Sequence, residues 1–112
     1  MTRRLGLARV SGESMGPVLR PGDRLLVLHG QRPRPGQVVV ARFADGTLAL
    51  KRAVEPRPTA SGEPGWWLLS DDAARGVDSR HRGPVPEREV HAVALARLWP
   101  RPRLLRPLWK DA

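Results

Sequence analysis

Apolar residues along the chain fall in short runs set between Pro- and Gly-rich stretches, a rhythm that predicts strands and little helix. Residues 23–28 (DRLLVL) and 37–43 (QVVVARF) are rich in Val and Leu, and the turn-forming stretch 30–36 (GQRPRPG) divides them. Asp45-Gly46 signals a hairpin between 37–43 and 47–54 (TLALKRAV). A Pro-, Ser- and Gly-rich loop follows over 55–65, then the apolar run 66–69 (WWLL) and a polar stretch over 70–84. The pattern of 90–98 (VHAVALARL) fits a closing strand or a short helix equally well. Residues 99–112 hold three prolines and are expected to lack regular structure. The prediction is an all-β, barrel-like domain over 1–98 with a Pro/Arg-rich tail over 99–112.

Three segments carry candidate chemistry, the third being the polar loop 69–85 (LSDDAARGVDSRHRGPV), read either as an ion-pair lattice with Asp78 and Arg80 as partners or as a solvated surface loop. In 10–23 (VSGESMGPVLRPGD) a serine, Ser14, stands in a Gly-flanked turn followed by Met15-Gly16-Pro17. Such a turn presents a hydroxyl and a free backbone N–H together, as acyl transfer requires; the plainer reading is a serine capping a turn. In 47–54, alternation along a strand puts Thr47, Ala49, Lys51 and Ala53 on one face. Lys51 is thus bracketed by two alanines that leave room for another backbone, although a lone lysine also marks a solvent face. Arg52 points to the other face, where a structural role is expected.

Charge and composition change the picture in one respect. Of 20 basic residues only Lys51 and Lys110 are lysines. Arginine does not give up its proton in a protein, whereas a desolvated lysine does. A lysine inside a strand of an arginine-rich chain is therefore a candidate general base. An ordinary lysine titrates near ~10.4, so a neutral amine at about pH 7–8 requires burial effects of about 4 kcal/mol.

The net charge of +9 and pI near 11.7 admit nucleic acid or an anionic membrane as partners. The arginines are scattered from Arg3 to Arg106, however, and four Trp, one Phe and no Tyr make a thin platform for stacking bases. No nucleic acid is required, and a basic nucleic-acid-binding module stands as an alternative. With no Cys the fold needs no disulfide. His29, His81 and His91 lack metal-ligand spacing, so neither metal nor other cofactor is expected. No apolar run approaches the ~20 residues that span a bilayer, and the first ten residues lack an apolar secretory core. The expected location is cytoplasmic. The tail, which carries Trp99, Trp109 and several Arg, reads as a flexible segment or as a peripheral membrane contact.

The segments together resemble the signal peptidase I family of Ser–Lys (S24/S26-type) proteases and, more distantly, the LexA-type self-cleaving repressors. Ser14, Met15, Pro17, Leu19, Gly22 and Asp23 match the serine box S-M-x-P-x-L-x-x-G-D. Pro35-Gly36-Gln37-Val38-Val39 resembles the strand beginning G-D-x-V, and Lys51-Arg52-Ala53-Val54 matches the lysine box K-R-x-V. Asp78-Ser79-Arg80 with Gly83-Pro84-Val85 matches the late D-S-R…G-x-V box, which the repressors lack. The boxes occur in family order and cover about 10–98.

The resemblance implies a mainly β catalytic core in which Ser14 is the nucleophile and Lys51 its general base. It further implies the Ser14 backbone N–H as oxyanion donor, with Met15, Pro17, Asp78, Ser79 and Arg80 supporting the site. The implied activity is removal of a leader or propeptide from a protein precursor bound as an extended strand. Short members without membrane anchors resemble proteases proposed to trim the nickel-type superoxide dismutase precursor, so that precursor is the suggested partner. The chain departs from the family at Gly12, where many members have a serine that assists the oxyanion. It departs again at Ser70-Asp71-Asp72, in place of G-D-N, and at Gly76, where a serine often supports the lysine. A catalytically inactive peptidase-like binding protein is therefore the second alternative.

Overall fold

The computed structural model describes residues 2–106. Their strands are β1 (Arg4–Arg9), β2 (Arg24–His29), β3 (Val38–Arg42), β4 (Leu48–Pro56), β5 (Gly65–Leu69), β6 (Val85–Pro86), β7 (Val90–Trp99) and β8 (Arg103–Leu104). They form one antiparallel sheet in the order β1-β2-β7-β3-β4-β5-β6, with β8 added beside β7. The sheet curls into a half-barrel, so the all-β expectation holds. One helical turn, α1 (Ser79–Arg82), and a 3-10 turn, Glu87–Glu89, lie between β5 and β7.

Curling gives the sheet two cores. Val39, Val93, Ala41, Phe43, Trp66 and Leu68 pack in one cluster; Val38, Ala92, Ala94, Leu25, Val27 and Met15 pack in the other. Successive residues of β3 and β7 thus feed opposite clusters, as pleating demands. This explains why 90–98 shows no single period: both faces of β7 are covered, so its apolar run is nearly continuous. It is a strand because β2 and β3 flank it on either side.

The β3–β4 hairpin closes at the anticipated Asp45-Gly46. The Phe43 N–H donates to the Thr47 carbonyl at 2.9 Å, and Gly46 takes φ +88°, where a side chain would be strained. Three pairings were not foreseen: β1 with β2, β6 with β5 and β8 with β7. In β1, Leu5 and Leu7 face solvent and alternate with small Gly6 and Ala8, so no buried stripe marks the strand. In the tail, Arg103–Leu104 pairs with β7, correcting the expectation of no regular structure there. The prolines at 100 and 102 precede the paired residues and take no ladder position. Residues 107–112, including Trp109, lie outside the described residues.

Candidate active site

Ser14 sits in the connection between β1 and β2, which two buried side chains fasten to the core. Met15 is 2% exposed and Leu19 fully buried. The mouth of the connection closes through Val10 N–H to the Asp23 carbonyl, 2.9 Å, and Gly22 N–H to the Val10 carbonyl, 2.8 Å. Asp23 also accepts from the Arg20 N–H at 3.0 Å. The serine box therefore reads as a turn whose apolar members anchor it and whose Ser14 stays half-buried at the surface. Pro17 follows on the exposed side of the turn. Hydrogen bonds within the turn run from Gly16 N–H to Glu13 and from Leu19 N–H to Met15, which leaves the Ser14 amide outside them.

Lys51 projects from the middle of β4, paired with Val39 of β3. Its side chain is buried, 2% exposed, and Nζ donates to Ser14 Oγ at 3.2 Å and to Ser70 Oγ at 2.9 Å. Burial pushes its pKa below the ordinary lysine value; the Asp78 carboxylate opposes this and the Arg80 guanidinium adds to it. The solvent-face reading of Lys51 is thereby excluded. Arg52, on the opposite face, donates to both carboxylate oxygens of Asp71 and to the Gly36 carbonyl, the structural role anticipated for it.

The D-S-R segment works as a clamp. Asp78 caps α1, its Oδ1 accepting from the Arg80 N–H at 3.0 Å. Its Oδ2 accepts the backbone N–H of Ser70 at 2.9 Å, and Ser79 Oγ accepts that of Leu68 at 2.9 Å. The amide of Leu68 in β5 and that of Ser70 just beyond its end are so tied to the start of one helical turn. Arg80 donates to Asp78 from Nε and Nη2 at 3.1 and 2.7 Å. Burial pushes the Asp78 carboxyl up, but the bonds from Arg80 and from the Ser70 and Arg80 amides outweigh it and hold the group well below the usual range.

The loop between β5 and α1 crosses the turn that carries Ser14. The Asp72 N–H donates to the Ser14 carbonyl at 2.8 Å, and Arg75 Nη1 bridges to Glu13 at 2.6 Å. Gly76 passes so close that a Cβ there would stand 2.9 Å from Ser14 Cβ. From Ser14 and Lys51 a groove of about 560 Å³ runs toward Phe43 and Asp45, walled by Ala8, Val10, Met15, Ala49, Leu50 and Val77 among others.

The Peptidase S24-like family pattern matches residues 2–79. The mitochondrial inner membrane protease subunit 1 of Schizosaccharomyces pombe is 33% identical over 128 aligned positions, covering 90% of this chain and 78% of that protein. The chain belongs to the S24-like peptidases. This bears out the resemblance to the signal peptidase I type, and a peptidase-type function goes with it. The matched span of this S24-like peptidase holds Ser14, Lys51, Asp78 and Ser79. No helix among the described residues is long and apolar enough to cross a membrane.

Of the supporting residues expected from the sequence, Met15 lines the groove, Asp78 and Arg80 act on Lys51 and Ser79 holds β5, whereas Pro17 is exposed and lies outside the groove; one contact partner was missed. Ser70 was noted only as a departure from G-D-N, yet its hydroxyl bonds Lys51. The signal lay in strand register: Arg52 pairs with Leu69, so the next positions along the ladder are Lys51 and Ser70.

Proposed function

We propose that the protein is a serine endopeptidase that cuts a leader or propeptide from a protein precursor with a Ser14–Lys51 dyad. The observation that carries the reading is a lysine 2% exposed, its amine 3.2 Å from a serine hydroxyl at the head of a groove. Neutral Lys51 takes the Ser14 proton as Oγ attacks the carbonyl carbon, with the Ser14 N–H facing the developing oxyanion. The C–N bond then breaks, the departing amine takes the proton back from Lys51, and an acyl-enzyme remains. A water, deprotonated by Lys51, attacks the ester carbon; the bond to Ser14 Oγ breaks, and Oγ takes the proton back from Lys51, restoring hydroxyl and neutral amine.

Strand edges left unpaired among the described residues favour a precursor bound as an extended chain. β4 pairs with β5 only from Arg52 onward, so the second edge of Leu48–Lys51 is unpaired by β5. β1 pairs with β2 on one side, and its last residues line the same groove. A peptide laid there adds a strand, with backbone bonds giving affinity. Alanine and valine walls favour small side chains beside the scissile bond. The nickel superoxide dismutase precursor is the first candidate substrate. Cytoplasmic placement, with at most peripheral membrane contact, goes with this reading and is tested by cell fractionation.

The test is cleavage of that precursor by wild type, Ser14→Ala and Lys51→Arg, with new N-termini compared between cells holding the active and Ser14→Ala proteins. Only wild type is expected to cut. A Lys51→Arg protein cutting at the normal rate would refute the general-base role.

A further inference from the structure

Resting on the Ser–Lys reading, we propose that Ser70 positions the Lys51 amine, doing from the end of β5 what Gly76 has no side chain to do. A neutral lysine amine has two N–H bonds and one lone pair, and it acts as a base only while the lone pair faces the serine proton. The amine rides on a flexible four-carbon stem. An acceptor for one N–H fixes its rotation, and Ser70 Oγ supplies that acceptor at 2.9 Å in a residue 7% exposed. Ser14 Oγ stands on the same nitrogen at 3.2 Å.

The loop leaves no room for the alternative. A Cβ on Gly76 would lie 3.1 Å from Lys51 Nζ and 2.9 Å from Ser14 Cβ, so the loop backbone itself presses on the dyad. Ser70 is in turn held from behind: its N–H donates to Asp78 Oδ2 at 2.9 Å, and Arg80 fastens Asp78. The charged groups acting on Lys51 are Asp78 and Arg80, of opposite sign, and both persist when the Ser70 hydroxyl is removed.

The experiment is acylation of Ser14 by p-nitrophenyl acetate across pH, followed by release of p-nitrophenolate and by the acetyl mass on the Ser14 peptide. Ser14 Oγ bonds the acetyl carbon, p-nitrophenolate leaves with the bonding pair, and the serine proton passes to Lys51 Nζ. Ser70→Ala is expected to lower the plateau rate about 30-fold. It also moves the acid limb to lower pH, because the lost hydroxyl had favoured the ammonium form. Its melting changes little, since the backbone bond to Asp78 remains. Ser70→Thr keeps the rate within a few-fold, whereas Ser70→Val, of the same shape without the hydroxyl, behaves like Ser70→Ala. Equal rates for the Thr and Val variants, or an unmoved limb in Ser70→Ala, overturn the assignment. Lys51→Met separates this from the parent reading. If it acylates Ser14 normally, the dyad falls; if it is dead while Ser70→Val is normal, the dyad stands and the role of Ser70 is lost.

Discussion

Gly76 and Ser14 meet so closely that a Cβ on the glycine would lie 2.9 Å from the serine's own Cβ. The glycine also takes φ +76°, where a side chain costs about 1–2 kcal/mol. Gly76→Ala therefore both strains the loop and pushes on Ser14 and Lys51, the proposed dyad. Displacing a nucleophile by about 1 Å can cost about 100-fold in rate, and acylation of Ser14 is expected to fall by that order. The neighbouring Ala74→Gly change, away from the dyad, is expected to leave it within a few-fold. Similar rates for both variants would show that the close approach does not matter.

Lys51 makes stability depend on pH in a definite direction. Burial, the leading cause, lowers its pKa in the folded protein below the unfolded value near ~10.4. Between the lowered value and ~10.4 the unfolded chain binds more protons than the native one, so this group's contribution to stability rises with pH. Lys51→Met abolishes the titration. The stability of wild type relative to Lys51→Met, from urea denaturation at a series of pH values, is expected to grow from neutral toward alkaline pH. A difference that stayed flat or shrank would mean the amine is not held neutral by its surroundings.

Asp78 acts in the opposite range. Its carboxylate is fully buried, and its folded pKa lies below the unfolded value because bonds from Arg80, Ser70 and the Arg80 amide overcome the effect of burial. The stability it contributes is present above about pH 4 and is lost as pH falls toward the folded value. Asp78→Asn removes the buried charge that the Arg80 guanidinium and the Ser70 and Arg80 amides meet, and is expected to destabilise the fold at neutral pH. Denaturant titrations should show that deficit narrowing on acidification. A deficit as large at pH 3 as at pH 7 would assign the loss to packing instead of charge.

How much of this was legible depended on which residues interact along the chain and which across it. The β3–β4 hairpin was readable because its signals are local: alternating apolar residues and an Asp-Gly turn. Lys51 was singled out because the arginine-rich background made a strand lysine stand out. Its burial was not readable, since Ala49 and Ala53 do not cover it; the cover comes from the turn holding Met15, from Ser70 and from the loop at Gly76, each remote in sequence. β1 escaped notice because its exposed leucines and small inward residues lack a core-facing stripe. Ser70 escaped because only the pairing of β4 with β5 brings it beside Lys51, and register between strands joined by a long loop is not written in either strand alone.

Two ion pairs with the same 2.6 Å separation put burial to the test as the term that decides their worth. Arg52 and Asp71 are 9% and 14% exposed in their side chains, and Arg52 also donates to the Gly36 carbonyl at 2.9 Å. Arg75 and Glu13 are 56% and 60% exposed. In the open pair, water screens the attraction and ordering two long side chains offsets what remains, leaving at most about 0.5–1 kcal/mol. In the closed pair, losing one partner strands a desolvated carboxylate, a cost of about 3 kcal/mol. Arg52→Leu is therefore expected to be strongly destabilising in urea denaturation, and Arg52→Lys only partly to restore stability, because an ammonium does not reproduce the two-pronged contact. Glu13→Gln should stay within about 0.5 kcal/mol of wild type, with any effect on acylation of Ser14 arising from the loop that Arg75 helps to hold. Equal losses from Arg52→Leu and Glu13→Gln would mean that separation, and not exclusion from water, sets the strength of both.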